Sequence, residues 1–188
     1  IASTSSSDIT GGSSGSGTTI AGSVLQNASN SPQNLVYTVT PTTTVGDESC
    51  EGADFTVTIT VNPTAQVNQP DNYEYCNGDI TDIIFTTSNG GVDSVTTYSW
   101  TVSGDDIGLD SSISGDISQQ VTNETTDTLT AIVEVTPTYT NDEVSCIGPS
   151  KEFTITVNPT AQVQPVSDIV VCNGDPVDEV IFSTLNTD

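Results

Sequence analysis

Apolar and polar residues alternate with a period of two along much of the chain, the pattern of strands that bury one face. The stretch 129–138 puts Leu129, Ala131, Val133 and Val135 on one side and Glu134 on the other, and 151–157 puts Phe153, Ile155 and Val157 inward with Thr154 and Thr156 outward. The same reading predicts a strand over 96–103 with Tyr98, Trp100 and Val102 inward. A strand over 82–87 turns Ile83 and Phe85 inward, and 117–122 gives a weaker strand signal. Clusters of Gly, Asn, Asp and Ser separate these runs and supply turn chemistry. No segment carries a helical period, so the expected fold is all-β.

The pattern also repeats at long range. VNPTAQV occupies 61–67 and again 157–163, CNGD begins at Cys76 and Cys172, VTP ends at Pro41 and Pro137, and Cys50 is matched by Cys146, every pair 96 positions apart. That period is too long for a solenoid unit and fits one independently folded sandwich of roughly 100 residues. The expected architecture is a tandem array of immunoglobulin-like β-sandwich repeats with boundaries in the Pro-containing joints. Residues 1–66 form the C-terminal part of one repeat, 67–162 a complete repeat and 163–188 the N-terminal part of the next. In this reading the repeats are beads on a string, and Pro63, Pro70, Pro159 and Pro165 stiffen the joints by fixing φ and removing donors.

Composition narrows the partners. The 188 residues include 25 acidic side chains and a single base, Lys151, with no His, for a formal charge of -24. A phosphate backbone is bound by Lys and Arg, so nucleic acid is excluded as a partner. Anionic membrane surfaces are disfavoured for the same reason, and no apolar run approaches the roughly 20 residues of a spanning helix, so no membrane insertion is expected. The opening IASTSSSDIT has neither a basic nor an apolar leader region, which places any export signal outside this segment. Without His there is no Ser-His-Asp or Cys-His arrangement, and the chain is not expected to be an enzyme.

Four cysteines in strict repeat register point to a disulfide framework and an oxidising compartment. They are isolated, with no CxxC pair, which argues against zinc. The strand after Cys50 carries it far from Cys76, whereas the last hairpin loop, with Cys146, and the entry segment, with Cys76, can share one end of a sandwich. The expected bridge is Cys76–Cys146, with Cys50 and Cys172 paired outside the segment. The order Cys76, Trp100, Cys146 only partly follows the immunoglobulin pattern, because Cys146 falls in a loop.

No cofactor is expected beyond a possible calcium ion, for which hard oxygen ligands are in excess. Asp105, Asp106 and Asp110 form one candidate cluster, and Asp71, Asp79 and Asp82 lie near a joint. Neither has the spacing of an EF-hand loop, and a solvated acidic surface is the competing reading. Asn27-Ala28-Ser29 and Asn123-Glu124-Thr125 fit the N-linked acceptor pattern, which is also frequent by chance.

The CNGD turn, the run TTYSWTVSGDDIGL and the run VEVTPTYTNDEVSCIGPSKEFTITVNPTAQV resemble the PKD-like repeats of giant cell-surface adhesins from Bacteroidetes, among them the gliding-motility adhesins of flavobacteria. The resemblance spans nearly the whole chain and is weaker over Ile1 to Gly17, which lacks the YxW element. It implies type IX export, extracellular display on the outer surface of a Gram-negative cell, and partnership with outer-membrane gliding or secretion machinery. It also implies O-glycosylation at Asp-Ser/Thr-apolar sites, which would be Ser94 and Thr128.

The function expected is a structural repeat segment of a filamentous adhesin, serving surface attachment or gliding, with neighbouring repeats as partners. One rival is a glycan-binding sandwich using Tyr73, Tyr75 and Tyr139. The other is a pilus-like polymer in which a strand of one subunit completes the next.

Overall fold

Sheet pairing begins almost at the N-terminus. The computed structural model describes all residues except 21, 23, 111, 187 and 188, and among the described residues it contains strands and no helix. In chain order the strands are β1 (Ala2–Ser5), β2 (Ile9–Thr10), β3 (Gln26–Asn27), β4 (Gln33–Val39), β5 (Thr42–Val45), β6 (Glu48–Glu51) and β7 (Phe55–Val61). Then come β8 (Tyr73–Cys76), β9 (Val95–Gly104), β10 (Ser112–Ser114), β11 (Leu129–Asn141), β12 (Val144–Ile147) and β13 (Lys151–Asn158).

The chain packs as two compact units built from interleaved segments. The first comprises 1–68, 86–97 and 136–149, and the second comprises 69–85, 98–135 and 150–188. The expected complete repeat, 67–162, coincides with neither. The long strands β9 and β11 supply residues to both units, so part of the second repeat packs with the first.

In the first unit, β4 is flanked by β1 and β7 in an antiparallel sheet. β4 meets β7 from Gln33 opposite Val61 to Val39 opposite Phe55. Leu35 and Tyr37, on the same face of β4, join Ile9 in a small core against which Leu25, Val57, Ile59 and Val61 pack. Two hairpins, β5–β6 and β11–β12, stand in equivalent places in the repeat. The second turns through Asp142 and Glu143, both at positive φ (47° and 63°), as a two-residue hairpin compatible with sheet twist requires.

The second unit carries the strand order β10-β9-β11-β13-β8. β11 and β13 are antiparallel from Leu129 opposite Val157 to Val135 opposite Lys151, and β8 runs parallel along the other edge of β13. Alternation places the core as expected: Ala131, Val133, Val135, Phe153, Ile155 and Val157 are buried. Trp100 is buried and its indole Nε1 donates to the Gly115 carbonyl at 3.1 Å, while Tyr98 and Val102 are half-buried. Phe85 contacts Tyr98 and Phe153 at ring distances of 5.5 and 6.2 Å. Thr154 and Thr156, expected outward, are half-buried.

Ile83 and Phe85 of the expected strand over 82–87 are buried as expected, and Ile117 and Val121 of the stretch 117–122 are buried as well. They form no regular strand, however, and pair through bridges at Ile80–Gln120 and Ile83–Ile117 and through main-chain bonds such as Thr81 N–H to the Gln119 carbonyl at 2.8 Å. Side chains add to these bonds. Asp116 Oδ1 accepts from the Phe85 amide at 2.9 Å, and the buried Thr81 hydroxyl bonds the Ile117 and Gln119 carbonyls and accepts from the Gln119 amide.

Candidate functional site at the repeat joint

Asn123 is 2% exposed, and its carboxamide is fully committed. Nδ2 donates to the carbonyls of Asp127 (2.8 Å) and Val157 (2.7 Å), while Oδ1 accepts from the amide and hydroxyl of Thr125. This is an Asx-type turn that also clips the end of β13. Ninety-six positions earlier the arrangement recurs atom for atom. Asn27 Nδ2 donates to the Ser31 and Val61 carbonyls, both at 2.8 Å, and Oδ1 accepts from the Ser29 amide and hydroxyl. The two Asn-x-Ser/Thr tripeptides therefore tie a loop to a strand end, and the nitrogen a sugar would occupy is already bonded twice.

The joint that follows β7 is packed. Pro63, Ala65 and Val67 are buried, although their sequence reads as a linker. Asn89 organises it: its Oδ1 accepts from the Gln66 amide at 2.6 Å, and its Nδ2 donates to the Thr64 carbonyl at 3.0 Å. Gln66 Nε2 donates to Asn30 Oδ1, the Gly90 amide donates to the Asn30 carbonyl, and Asn141 Nδ2 donates to Asn62 Oδ1. A Cβ at Gly148 would overlap the Ala65 carbonyl, so this position needs glycine for close approach. A buried segment must satisfy its backbone groups, and Asn89 and its neighbours do so.

The second joint repeats the chemistry inside the other unit. Asn186 Oδ1 accepts from the Gln162 amide at 2.7 Å, its Nδ2 donates to the Thr160 carbonyl at 3.2 Å, and Thr184 Oγ1 donates to Asn186 Oδ1. Thr87 and Asn89 make the same pair at the first joint. Pro159 is half-buried, and Pro165 is exposed.

The expected Cys76–Cys146 bridge is not formed. All four cysteines are free, with Cys50, Cys76 and Cys172 exposed and Cys146 half-buried. Cys76 lies opposite Asn158 in the second unit and Cys146 opposite Tyr139 in the first.

The acidic candidates do not gather either: among the described residues no three His, Cys, Asp or Glu side chains form a group that could hold a metal. Asp106 accepts from the Gly108 amide, Asp110 from Gln119 Nε2 and Asp79 from the Cys76 amide, fixing local turns or loops, while Asp105 accepts from the distant Thr130 amide. Asp71 and Asp82 are exposed.

Of the tyrosines, Tyr139 is 1% exposed and donates to the Gly90 carbonyl at 2.9 Å, which removes it as a sugar platform. Tyr73 and Tyr75 are half-buried and stacked at 6.2 Å. Burial first, then the charge of Asp71, raises the Tyr73 phenol above its ordinary value. Thr128 is exposed with its hydroxyl donating to Asn158 Oδ1, and Ser94 is half-buried with its hydroxyl on the Gly91 carbonyl. Sequence reasoning missed Asn89, Asn186 and Thr81. The signal was available for the two asparagines, because each stands two residues after a Thr in the repeat pattern.

These features define an all-β, immunoglobulin-like sandwich protein. Residues 2–65 match the family model of the PKD-like domain, including the Ser/Gly-rich start that lacks YxW, where Ile9 supplies the buried anchor. PKD-like β-sandwich modules are typically extracellular and generally non-catalytic. No curated protein and no solved structure matches the chain. Among the described residues no helix is long and apolar enough to cross a membrane.

Proposed function

We propose that the chain is a structural segment of a secreted filament on the outer surface of a Gram-negative bacterium, an adhesin serving attachment or gliding. The observation that carries this reading is the joint: a buried, carboxamide-clipped connection at 61–68, and the same bonds again at 160–164. An ordered connection of this kind suits a filament under tension, which a flexible linker does not. The charge of -24 keeps neighbouring filaments apart. The neighbouring repeats are its first partners, and outer-membrane gliding or secretion machinery is the further partner implied by resemblance. Ser94 and Thr128 are the proposed O-glycosylation positions, Thr128 being the more exposed.

Antibodies against the chain should label intact, unpermeabilised cells, and protease shaving should remove the label. Staining that requires permeabilisation would overturn surface display. The stacked pair Tyr73–Tyr75 favours one second reading, a glycan-binding module. Saturable binding on a glycan array, lost in Tyr73→Ala and Tyr75→Ala, would move the function from spacer to binder.

A further inference from the structure

The dipeptide Asn-Gly occurs at 77–78, 89–90 and 173–174. It is the step at which a chain most readily attacks itself, because glycine has no Cβ to keep its amide nitrogen away from the preceding side-chain carbon. In that reaction the glycine nitrogen gives up its proton to solvent and bonds to Cγ of the asparagine, the Cγ–Nδ2 bond breaks, and ammonia leaves. Water then opens the succinimide ring to aspartate or isoaspartate. One water is consumed and one ammonia released, and nothing is oxidised or reduced.

At the joint, Asn89-Gly90 is held back from this reaction at both the attacking and the leaving atom. The Gly90 amide donates to the Asn30 carbonyl at 2.8 Å, and the Gly90 carbonyl accepts from the buried Tyr139 hydroxyl at 2.9 Å. Asn89 Nδ2 donates to the carbonyls of Thr64 at 3.0 Å and Asn30 at 3.5 Å, while Oδ1 accepts from the Gln66 amide at 2.6 Å and the Thr87 hydroxyl at 3.1 Å. Donors on Oδ1 would by themselves favour the charge that develops there during attack. The other bonds outweigh them, since the nucleophile is committed to Asn30 and a carboxamide tied at both ends cannot swing toward Gly90. Thr64, Gln66 and Asn30 are all parts of the packed joint, so opening it releases these restraints together.

We infer that Asn89 is a covalent latch of the joint: it persists as asparagine while the joint is closed and converts to aspartate or isoaspartate once the joint has opened. Conversion also prevents reclosure. A carboxylate oxygen in the place of Nδ2 faces the Thr64 and Asn30 carbonyls with no proton to offer, and leaves those acceptors unpaired. Isoaspartate in addition inserts a carbon into the main chain between the Thr87 and Gly90 bonds that fix the loop. A joint held open for long enough therefore stays open, and the modified residue records that it was. This goes beyond the filament reading and rests on the bonds of the joint alone.

Asn77-Gly78 is the control within the same molecule. The Gly78 amide donates to the Val121 carbonyl at 2.9 Å, Asn77 Nδ2 donates to Thr160 Oγ1, and Asn77 Oδ1 accepts from the Asn123 amide, so it is locked by partners outside the joint at 61–68. The test is incubation of the full chain at mildly alkaline pH, followed by peptide mass spectrometry with isoaspartate resolved by chromatography. Asn89 should convert at least about tenfold more slowly in the folded chain than in urea, a factor equivalent to about 1.4 kcal/mol of local opening free energy. Gly148→Ala, which displaces the Ala65 carbonyl, and the milder Gln66→Ala, which removes side-chain bonds to Asn30 and Ser88, should speed conversion at Asn89 and leave Asn77 at the parent rate. In the product mimic Asn89→Asp, the Gly90 amide should exchange with solvent faster than in the parent. Three results overturn the inference: one conversion rate for Asn89 in folded and unfolded chain, no selective acceleration at Asn89 in either joint variant, or a Gly90 amide as protected in Asn89→Asp as in the parent.

Discussion

Asn123 shows how much one side chain can hold. Its truncation strands the Val157 and Asp127 carbonyls and the Thr125 amide, and a buried polar group left unpaired costs about 1–3 kcal/mol. Asn123→Ala should lower stability by that amount in urea denaturation, and Asn27→Ala, at a half-buried site, should fall near the lower end. Peptide mass spectrometry should find both asparagines unmodified in the folded chain, because the acceptor nitrogen is engaged. Tyr73 offers a second check. A phenol whose folded value lies above its unfolded value stabilises the fold fully below about pH 10. That contribution is lost as pH rises through the folded value. The alkaline loss of stability should therefore be smaller in Tyr73→Phe than in the parent chain, followed by denaturant midpoint between pH 8 and pH 11.

At the scale of elements, alternation was a reliable guide wherever a strand buries one face against a sheet. β9, β11 and β13 lie where the period of two placed them, because side-chain direction in a strand is set by the backbone alone. The stretches 82–87 and 117–122 show the limit of that signal. Burial followed the pattern, but Asp116 and Thr81 supplement an irregular main-chain pairing, and hydropathy carries no trace of which polar group will partner a backbone atom. The joint was harder to read, since Pro, Asn and Thr in VNPTAQV look like a linker until Asn89 is brought to them from more than twenty residues away. Gly148→Ala should force the Ala65 carbonyl aside and cost about 1–3 kcal/mol, as overpacking does. Hydrogen exchange at the Gln66 amide should accelerate in that variant.

At the scale of the whole molecule, the repeat period and the compact units are different objects. The repeat is 96 residues long, yet residues 86–97 and 136–149 of the second repeat pack in the first unit. We expect residues 67–162 expressed alone to keep the core around Trp100 and Phe153 while 86–97 and 136–149 exchange faster than in the full chain, measured by hydrogen exchange. Uniform protection across 67–162 would make the repeat itself the autonomous domain. Charge acts on this scale too. With 25 acidic side chains against one lysine, self-repulsion opposes compaction, and salt screens it over a Debye length of about 10 Å at 0.1 M. The urea midpoint should therefore rise between about 0.01 and 0.5 M NaCl.

The sequence by itself determined the β class, the 96-residue period, the inward rows of the main strands and the strongly negative charge. These depend on backbone periodicity and net charge, which need no knowledge of what lies opposite. Only the tertiary structure decided that no disulfide joins Cys76 and Cys146, that Asp105 caps the Thr130 amide rather than joining a metal cluster, that Tyr139 is buried, and that the Pro-containing joint is packed. Each of those outcomes depends on which distant residue arrives beside a given side chain, and that is set by strand order and register.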